Sequence, residues 1–299
     1  MTQAELDKLL SAGERAAFHG PPVAAVRALS AAVQAAEQER HPVEAAGARW
    51  LLGVAQQAAG RYGSALATLR AAWSPPPARA LAPYVATAIA EVHRHLGEHA
   101  EAAAWDRRGL DLAEGTAVAW PLLGLAADAI GRGDADEARQ RLEAAAALVG
   151  GGDWRLKVRA GWVTAELALL TDRPRDAGDA AVQAVRRAET AAAPPYVAKG
   201  LLFHGVALAQ AGDQAAAEVL TRAAGLAEGL GALPVAWPAR AILGALLEQA
   251  GDQAGATTAF AAAGRAVRAI AADLDQQARV RWLAQPPVAA VIDAAGASA

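Results

Sequence analysis

Three histidines form a close grouping of residues that could suggest metal chemistry. His93, His95 and His99 fall within seven residues of one another, and imidazole is a common metal ligand. Gly97 separates the last two, and a helix that ends at this glycine cannot keep them one turn apart on one face. No cysteine or carboxylate set completes the group. We therefore expect a solvated turn here and no metal site.

A short acidic run invites a similar question about divalent cations. Asp134, Asp136 and Glu137 lie close together just after Gly133. Carboxylates at the start of a helix satisfy its free amides and interact favourably with its dipole. We interpret the run as the beginning of a helix.

Sequence motifs that carry catalysis or cofactor binding are absent. The sequence lacks His-Glu-x-x-His, Gly-x-Ser-x-Gly and Gly-x-Gly-x-x-Gly, and none of its three lysines follows a glycine as a phosphate-binding loop requires. We therefore expect no cofactor and no enzymatic activity, although an enzyme with an unfamiliar site is a third hypothesis.

The composition predicts helices throughout. Alanine, the strongest helix former, supplies 88 of the 299 residues, whereas the β-branched and aromatic residues that favour strands are comparatively scarce. Because alanine side chains are small, helices can pack closely, and the few large residues should lie at chosen places. Eight tryptophans against three tyrosines and three phenylalanines are an unusual choice of large residue.

Charge and hydropathy limit the kind of partner. The net charge is −3 with no basic stripe, so we do not expect nucleic-acid binding. No run of 18 uncharged apolar residues predicts a membrane span, and residues 1–13 lack the pattern of a signal peptide. We expect a cytoplasmic protein.

A recurring pattern divides the chain into seven repeats. A turn residue is preceded by a small residue seven positions earlier and followed by alanine five positions later, and successive turns are 36 to 40 residues apart. The turn residues are Gly20, Gly60, Gly97, Gly133, Asp172, Gly212 and Gly251. The small residues are Gly13, Gly53, Ala90, Ala126, Ala165, Gly205 and Gly244, and the alanines are Ala25, Ala65, Ala102, Ala138, Ala177, Ala217 and Ala256.

This spacing predicts pairs of helices joined by short turns. The small residues permit close helix crossings, and the turn glycine supplies the left-handed conformation that ends the first helix. Asp134, Asp213 and Asp252 follow turn glycines, where we expect each to cap a second helix. All fifteen prolines, Pro238 among them, are expected between helices, in first helical turns or in the tail.

The pattern resembles the tetratricopeptide repeat, in which a small residue in the first helix faces alanines and a large apolar residue in the second. The second repeat carries the motif as Gly53, Tyr62, Ala65, Leu69, Ala72 and Pro77, and the seventh as Gly244, Ala256, Phe260 and Ala263. Asp106, Ala181 and Thr221 stand where three other repeats should have the large apolar residue. The repeats are also longer than the usual 34 residues, as in the repeat domains of bacterial signalling regulators.

The resemblance implies an all-α fold, a right-handed α-solenoid of about seven helix–turn–helix repeats over residues 1–273. Residues 274–299 break the pattern and are expected to form a C-terminal helical cap, which terminal repeats require. A short helix through Arg281 and Leu283 and a last helix opened by Pro286 and Pro287 are predicted there.

The resemblance also implies a binding surface, because the first helices of such repeats line the concave groove. Aromatic residues fall on that predicted face in four repeats, and charged residues flank them. The aromatic residues are Trp50, Tyr84, Trp120 and Trp162, and the charged residues are Glu91, Arg94, Arg159, Glu166 and Lys199. Such rings could anchor a partner, or they could fill gaps between helices that are otherwise built from alanine.

Two functions follow from such a groove. The first is a non-enzymatic scaffold or adaptor that binds another protein or a peptide. The second is a regulatory domain that senses a peptide or a small apolar ligand by closing around it. The sequence identifies neither the partner nor the oligomeric state.

Overall fold

The computed structural model describes residues 3–74, 78–150 and 153–296, and these residues fold as helices without any strand. The α-helices are α1 (Gln3–His19), α2 (Pro22–Gln38), α3 (Pro42–Ala58), α4 (Tyr62–Trp73), α5 (Ala82–His95), α6 (His99–Leu112), α7 (Ala119–Gly131), α8 (Ala135–Val149), α9 (Trp154–Leu170), α10 (Pro174–Thr190), α11 (Pro194–Gln210), α12 (Ala216–Leu230), α13 (Leu233–Gln249), α14 (Gln253–Ala272), α15 (Gln276–Leu283) and α16 (Pro286–Gly296). None of the helices in this part of the chain is both long and apolar enough to cross a bilayer.

Helices α1 to α14 form the seven predicted helix–turn–helix pairs. Six of the seven predicted turn residues have the left-handed backbone conformation, including Gly60 at φ 79° and Asp172 at φ 54°. At the second turn, the Gly60 amide donates to the Gln57 carbonyl and the Arg61 amide to the Gln56 carbonyl, which satisfies the last carbonyls of α3. Gly20 is the exception: it keeps a negative φ, and α2 begins directly at Pro22.

Four of the seven predicted small residues in the first helices are glycines that pack closely against a large side chain of the second helix. A Cβ atom placed on Gly53 would lie 2.4 Å from the Cγ atom of Leu69, so only glycine leaves room for the leucine of the second helix. The same arrangement recurs in three other repeats, in the pairs Gly13 with Leu29, Gly205 with Leu220, and Gly244 with Phe260. These contacts confirm the predicted crossing of the two helices.

The sixth repeat keeps its predicted small residue Gly205 and turn residue Gly212, but its second helix is displaced by one residue, and the predicted alanine position there was wrong. Ala217 is only half-buried, whereas Ala216 is buried in its place. Leu220, and not Thr221, is the large apolar residue that packs on Gly205. The shift arises because α12 begins at Ala216, after residues 213–215 form a turn of their own. Two adjacent alanines hide such a shift from the sequence pattern.

Two further sequence predictions were wrong in detail. Asp134 and Asp252 cap α8 and α14 as expected, but Asp213 accepts a hydrogen bond from the Ala215 amide inside the turn and caps no helix. Pro238 lies inside α13, where it follows five other residues of that helix. Pro75, Pro76 and Pro77 lie outside the described residues.

The chain divides into two compact units, Met1–Ala160 and Gly161–Ala299. The first contains the four pairs from α1 to α8 and the start of α9, and the second contains the rest of α9 and the helices that follow. In the second unit α16 packs on α14, where Ala295 lies against Gly264. The Arg279 guanidinium donates to the carbonyls of Ala271 and Leu274 and so completes the C-terminal end of α14. Residues 297–299 of the predicted cap lie outside the described residues.

Candidate functional site

Four aromatic side chains of the first unit lie in contact, one from each of the first helices α1, α3, α5 and α7. We call Phe18, Trp50, Tyr84 and Trp120 the unit 1 ladder. Successive ring centroids are 6.3, 5.6 and 6.2 Å apart, within the range in which aromatic rings attract one another. Each of these first helices contributes one ring, although the rings occupy different positions within their repeats.

The rings of the ladder differ in exposure. Phe18 is buried, with 5% of its surface exposed, whereas Trp50, Tyr84 and Trp120 are half-buried. Large rings that are held in place by neighbours and still reach solvent lose little side-chain entropy when they contact a partner. The ladder therefore combines structural packing with an accessible aromatic surface.

Two arginines of α9 lie over the last ring of the ladder. The guanidinium carbons of Arg155 and Arg159 are 5.9 and 5.7 Å from the centroid of Trp120. Each arginine also has a carboxylate partner: Arg155 donates to Asp153 at 2.8 and 3.1 Å, and Arg159 donates to Glu91 at 3.0 Å. These contacts give the ladder a charged edge in which both signs are present.

A buried group of charges lies beside this edge and joins α5, α6 and α7. Arg94 Nε donates to Asp128 Oδ1 at 2.8 Å, and Arg94 Nη2 donates to Asp106 Oδ2 at 2.7 Å. The same Nη2 atom also lies 3.0 Å from Asp128 Oδ2 and 3.1 Å from the Gly124 carbonyl. Neither aspartate has any exposed surface. The hydrogen bonds of Arg94 therefore mainly join α5, α6 and α7.

The structure explains why Asp106 departs from the repeat pattern. It stands where the repeat pattern expects a large apolar residue, and it packs so closely on Gly124 that a Cβ atom there would lie 2.0 Å from Asp106 Oδ2. Burial raises the pKa of Asp106 to about 7, although Arg94 and Arg159 act in the opposite direction. Asp106 Oδ1 forms no hydrogen bond, although the Thr87 hydroxyl is near enough to lower the pKa slightly.

The second unit contains a different aromatic arrangement. Trp162 on α9 is 7% exposed, because its ring stacks on Tyr196 at 5.3 Å and contacts Phe203 at 6.4 Å. The Lys199 ammonium lies 4.6 Å from the Trp162 ring centroid. Glu166, one turn further along α9, is half-buried. Trp162 is thus covered by side chains of α11.

The structure distributes the predicted site residues over the two units. Trp50, Tyr84, Trp120, Glu91, Arg94 and Arg159 lie in the first, and Trp162, Glu166 and Lys199 lie in the second. Sequence reasoning missed Phe18, Arg155 and Tyr196. Phe18 could have been found, because it follows the small residue Gly13 by five positions, on the helix face predicted to line the groove. Arg155 carries no comparable signal, since its position relative to Phe18 depends on the folded chain.

The histidine cluster and the acidic run have structural roles. His93 Nδ1 lies 2.7 Å from Glu98 Oε2, His95 stacks on Tyr62 at 5.3 Å, and His99 Nδ1 lies 3.3 Å from Asp128 Oδ1. The three imidazoles thus face different partners, and the expected solvated turn was wrong for His93, which is buried. Among the described residues, no three His, Cys, Asp or Glu side chains are placed so that they could hold a metal ion.

Solved structures with a similar fold were found at low sequence identity. A Rap protein complexed with competence and sporulation factor matches at a TM-score of 0.62 and 13% identity, over 90% of this chain and 81% of that chain. A STAND protein with a tetratricopeptide repeat sensor from Pyrococcus horikoshii matches at 0.53 and 11%, over 91% of this chain and 43% of that chain. A chain of the APC/C hetero-tetramer Cut9–Hcn1 matches at a TM-score of 0.58 and 15% identity, over 97% of this chain and 48% of that chain.

The sequence alone gives no such match. No protein-family model and no curated protein sequence matches it. The likeness to the solved structures is therefore a likeness of fold, and it agrees with the seven helix pairs, their left-handed turns and their glycine crossings. The chain has a tetratricopeptide-like helical repeat fold.

Proposed function

We propose that the chain is a non-enzymatic interaction protein, and that a protein or peptide partner binds to the unit 1 ladder. The observation that carries this proposal is the half-buried state of Trp50, Tyr84 and Trp120 on three successive first helices. Partly open tryptophan and tyrosine rings are the most common anchors of protein interfaces. Arg155, which is half-buried, supplies a polar edge beside the rings, as interfaces usually have, whereas Arg159 is buried against Glu91.

The similar solved structures support a partner of this kind. The Rap structure holds a competence and sporulation factor, and Cut9 is found in a hetero-tetramer with Hcn1. Both are complexes of repeat proteins with another molecule. We extend that property, and no particular partner, to this chain.

A comparative capture experiment tests the proposal. The wild-type protein and the Trp50→Ala/Tyr84→Ala variant are immobilised, and the proteins that each retains from a lysate of the source organism are identified by mass spectrometry. We expect a protein that the wild type retains to bind the variant at least roughly tenfold more weakly, because interface rings of this kind often contribute more than 2 kcal/mol.

A matched control separates the ladder from aromatic surface in general. Trp237→Ala removes a half-buried ring from α13 of the second unit and should leave capture unchanged. If capture fails with Trp237→Ala and persists with the double variant, the proposed site is wrong. If no protein is captured but a small molecule co-purifies, the ligand-sensing function replaces the scaffold.

A further inference from the structure

The first helix of the chain is anchored mainly at its C-terminal end. Helix α1 packs on α2 and α3, and its residues Gly13, Ala17 and Phe18 are buried. Leu9 and Leu10, nearer its start, are only half-buried.

The anchored end of α1 lies against the beginning of α9, four repeats further along the chain. The Arg155 guanidinium carbon is 4.2 Å from the Phe18 ring centroid, and the His19 and Trp154 rings are 5.3 Å apart. We call these four residues the α1–α9 contact. All of them belong to the first unit.

This contact joins the two ends of the unit 1 ladder. Phe18 is the first ring of the ladder and Trp120 is the last. The Arg155 guanidinium carbon lies 4.2 Å from the Phe18 ring centroid and 5.9 Å from the Trp120 ring centroid. The carboxylate of Asp153 holds the Arg155 guanidinium through two hydrogen bonds. The Arg155 side chain therefore occupies aromatic surface at both ends of the ladder.

The contact can break without unfolding the repeats. It includes one ring pair and one guanidinium on aromatic rings, which are individually weak interactions, and His19, Trp154 and Arg155 are half-buried. The packing of α1 on α2 is of another kind, because Gly13 and Leu29 interlock in the core. Arg155 can leave the rings while the helix pair remains intact.

We propose that the α1–α9 contact regulates the unit 1 ladder, in that a partner must displace Arg155 from Phe18 and Trp120 before it can occupy the full row of rings. This inference rests on the proposed function of the ladder. A site that is open for only a fraction of the time binds with an affinity reduced by that fraction. Removing the contact should therefore tighten binding, which is the opposite of what loss of an ordinary binding residue does.

A dye titration tests this directly. Nile red, an uncharged apolar dye, is titrated into the wild type, Arg155→Ala, Arg155→Lys and Arg139→Ala. We expect Arg155→Ala to bind roughly two- to fivefold more tightly, as loss of a cation–π contact implies. Arg155→Lys keeps a cation over the rings and should resemble the wild type. Arg139→Ala removes an exposed arginine of α8 that pairs with Asp136, and it controls for the change in charge.

Two outcomes of this titration would overturn the inference. In the first, Arg155→Ala binds the dye no more tightly than Arg139→Ala does. In the second, adding Trp50→Ala to Arg155→Ala leaves dye binding unchanged, which shows that the dye lies elsewhere. If Trp50→Ala loses dye binding while Arg155→Ala does not tighten it, the regulation by the α1–α9 contact is rejected. The ladder then remains a binding surface.

A cross-link tests the same idea without relying on Arg155. The protein has no cysteine, so the pair His19→Cys/Trp154→Cys can be joined specifically by a short bis-maleimide. We expect the cross-linked protein to bind Nile red several-fold more weakly than the same variant before cross-linking. Equal affinities would show that the distance between α1 and α9 does not control the ladder.

Discussion

The two units use the same repeat for different purposes. In the first, the first helices present Trp50, Tyr84 and Trp120 half-buried. In the second, Trp162 is stacked under Tyr196 and is almost fully covered. An aromatic residue in the same part of the repeat can thus be accessible surface or core, depending on what the next first helix places over it.

The second helices show the same contrast. In the third repeat, Asp106 is buried at the position expected for a large apolar residue and accepts a hydrogen bond from the half-buried Arg94 guanidinium. In the fifth repeat the corresponding residue, Ala181, belongs to an apolar cluster with Ala165 and Ala177. The first unit therefore contains both the open rings and the buried charges. The two units should respond differently to mutation and to pH.

The largest expected effect concerns the two tryptophans. Trp162→Ala should destabilise the protein by about 3–5 kcal/mol, because it empties a covered site, whereas Trp120→Ala should cost about 1–2 kcal/mol. Urea denaturation followed by circular dichroism measures both. Equal losses of stability would show that the rings of the ladder are ordinary core residues.

A smaller effect is expected at a helix crossing of the first unit. Ala138 is fully buried, and Ala138→Leu should destabilise by about 1–3 kcal/mol through overpacking. Ala144 lies on the exposed side of the same helix, so Ala144→Leu should change stability by less than about 0.5 kcal/mol. Melting temperatures compare the two, and a larger loss with Ala144→Leu would contradict the assigned helix face.

Asp106 gives the first unit a pH dependence that the alanine cluster of the second cannot have. Its pKa is raised in the fold, so its contribution to stability is greatest below about pH 4 and declines as pH rises to about 7. Asp106→Asn removes this decline, so the variant should gain stability relative to the wild type between about pH 5 and about pH 8. Thermal unfolding across this range measures the difference between the two proteins.

The sign of this change in stability with pH shows whether burial or pairing with Arg94 has the larger effect on the pKa of Asp106. If the pairing of Asp106 with Arg94 outweighed burial, the variant would instead lose stability relative to the wild type as the pH rises. Asp136→Asn is the control, because Asp136 is an exposed carboxylate that pairs only with Arg139 at the surface of α8. Its effect on stability should be small, because an exposed ion pair contributes little.

The repeat could be predicted because its determinants are local. Left-handed turns at Gly60 or Gly133 and close crossings at Gly53 depend on residues a few positions apart, so their spacing is visible in the sequence. The displacement of the sixth repeat was not visible, because Ala216 and Ala217 are chemically identical. Where alanine fills most positions, the pattern cannot report a shift of one residue.

The candidate site could be predicted only in part, for a different reason. The register of the first helices identified Trp50, Tyr84 and Trp120, but it could not distinguish them from the covered Trp162. Exposure depends on neighbours such as Tyr196, which come from another repeat. The contact of Arg155 with Phe18 joins residues far apart in the chain, and no periodicity predicts it.

The central claim is that the half-buried rings of the first unit bind a partner while the covered ring of the second maintains the fold. The most direct measurement is isothermal titration of the captured partner into Trp50→Ala and Trp162→Ala, each characterised by its melting temperature. We predict that Trp50→Ala loses at least roughly tenfold in affinity with a small change in melting temperature, and that Trp162→Ala melts far lower but binds normally while folded. Normal affinity in Trp50→Ala, with a melting temperature as low as that of Trp162→Ala, would contradict the claim.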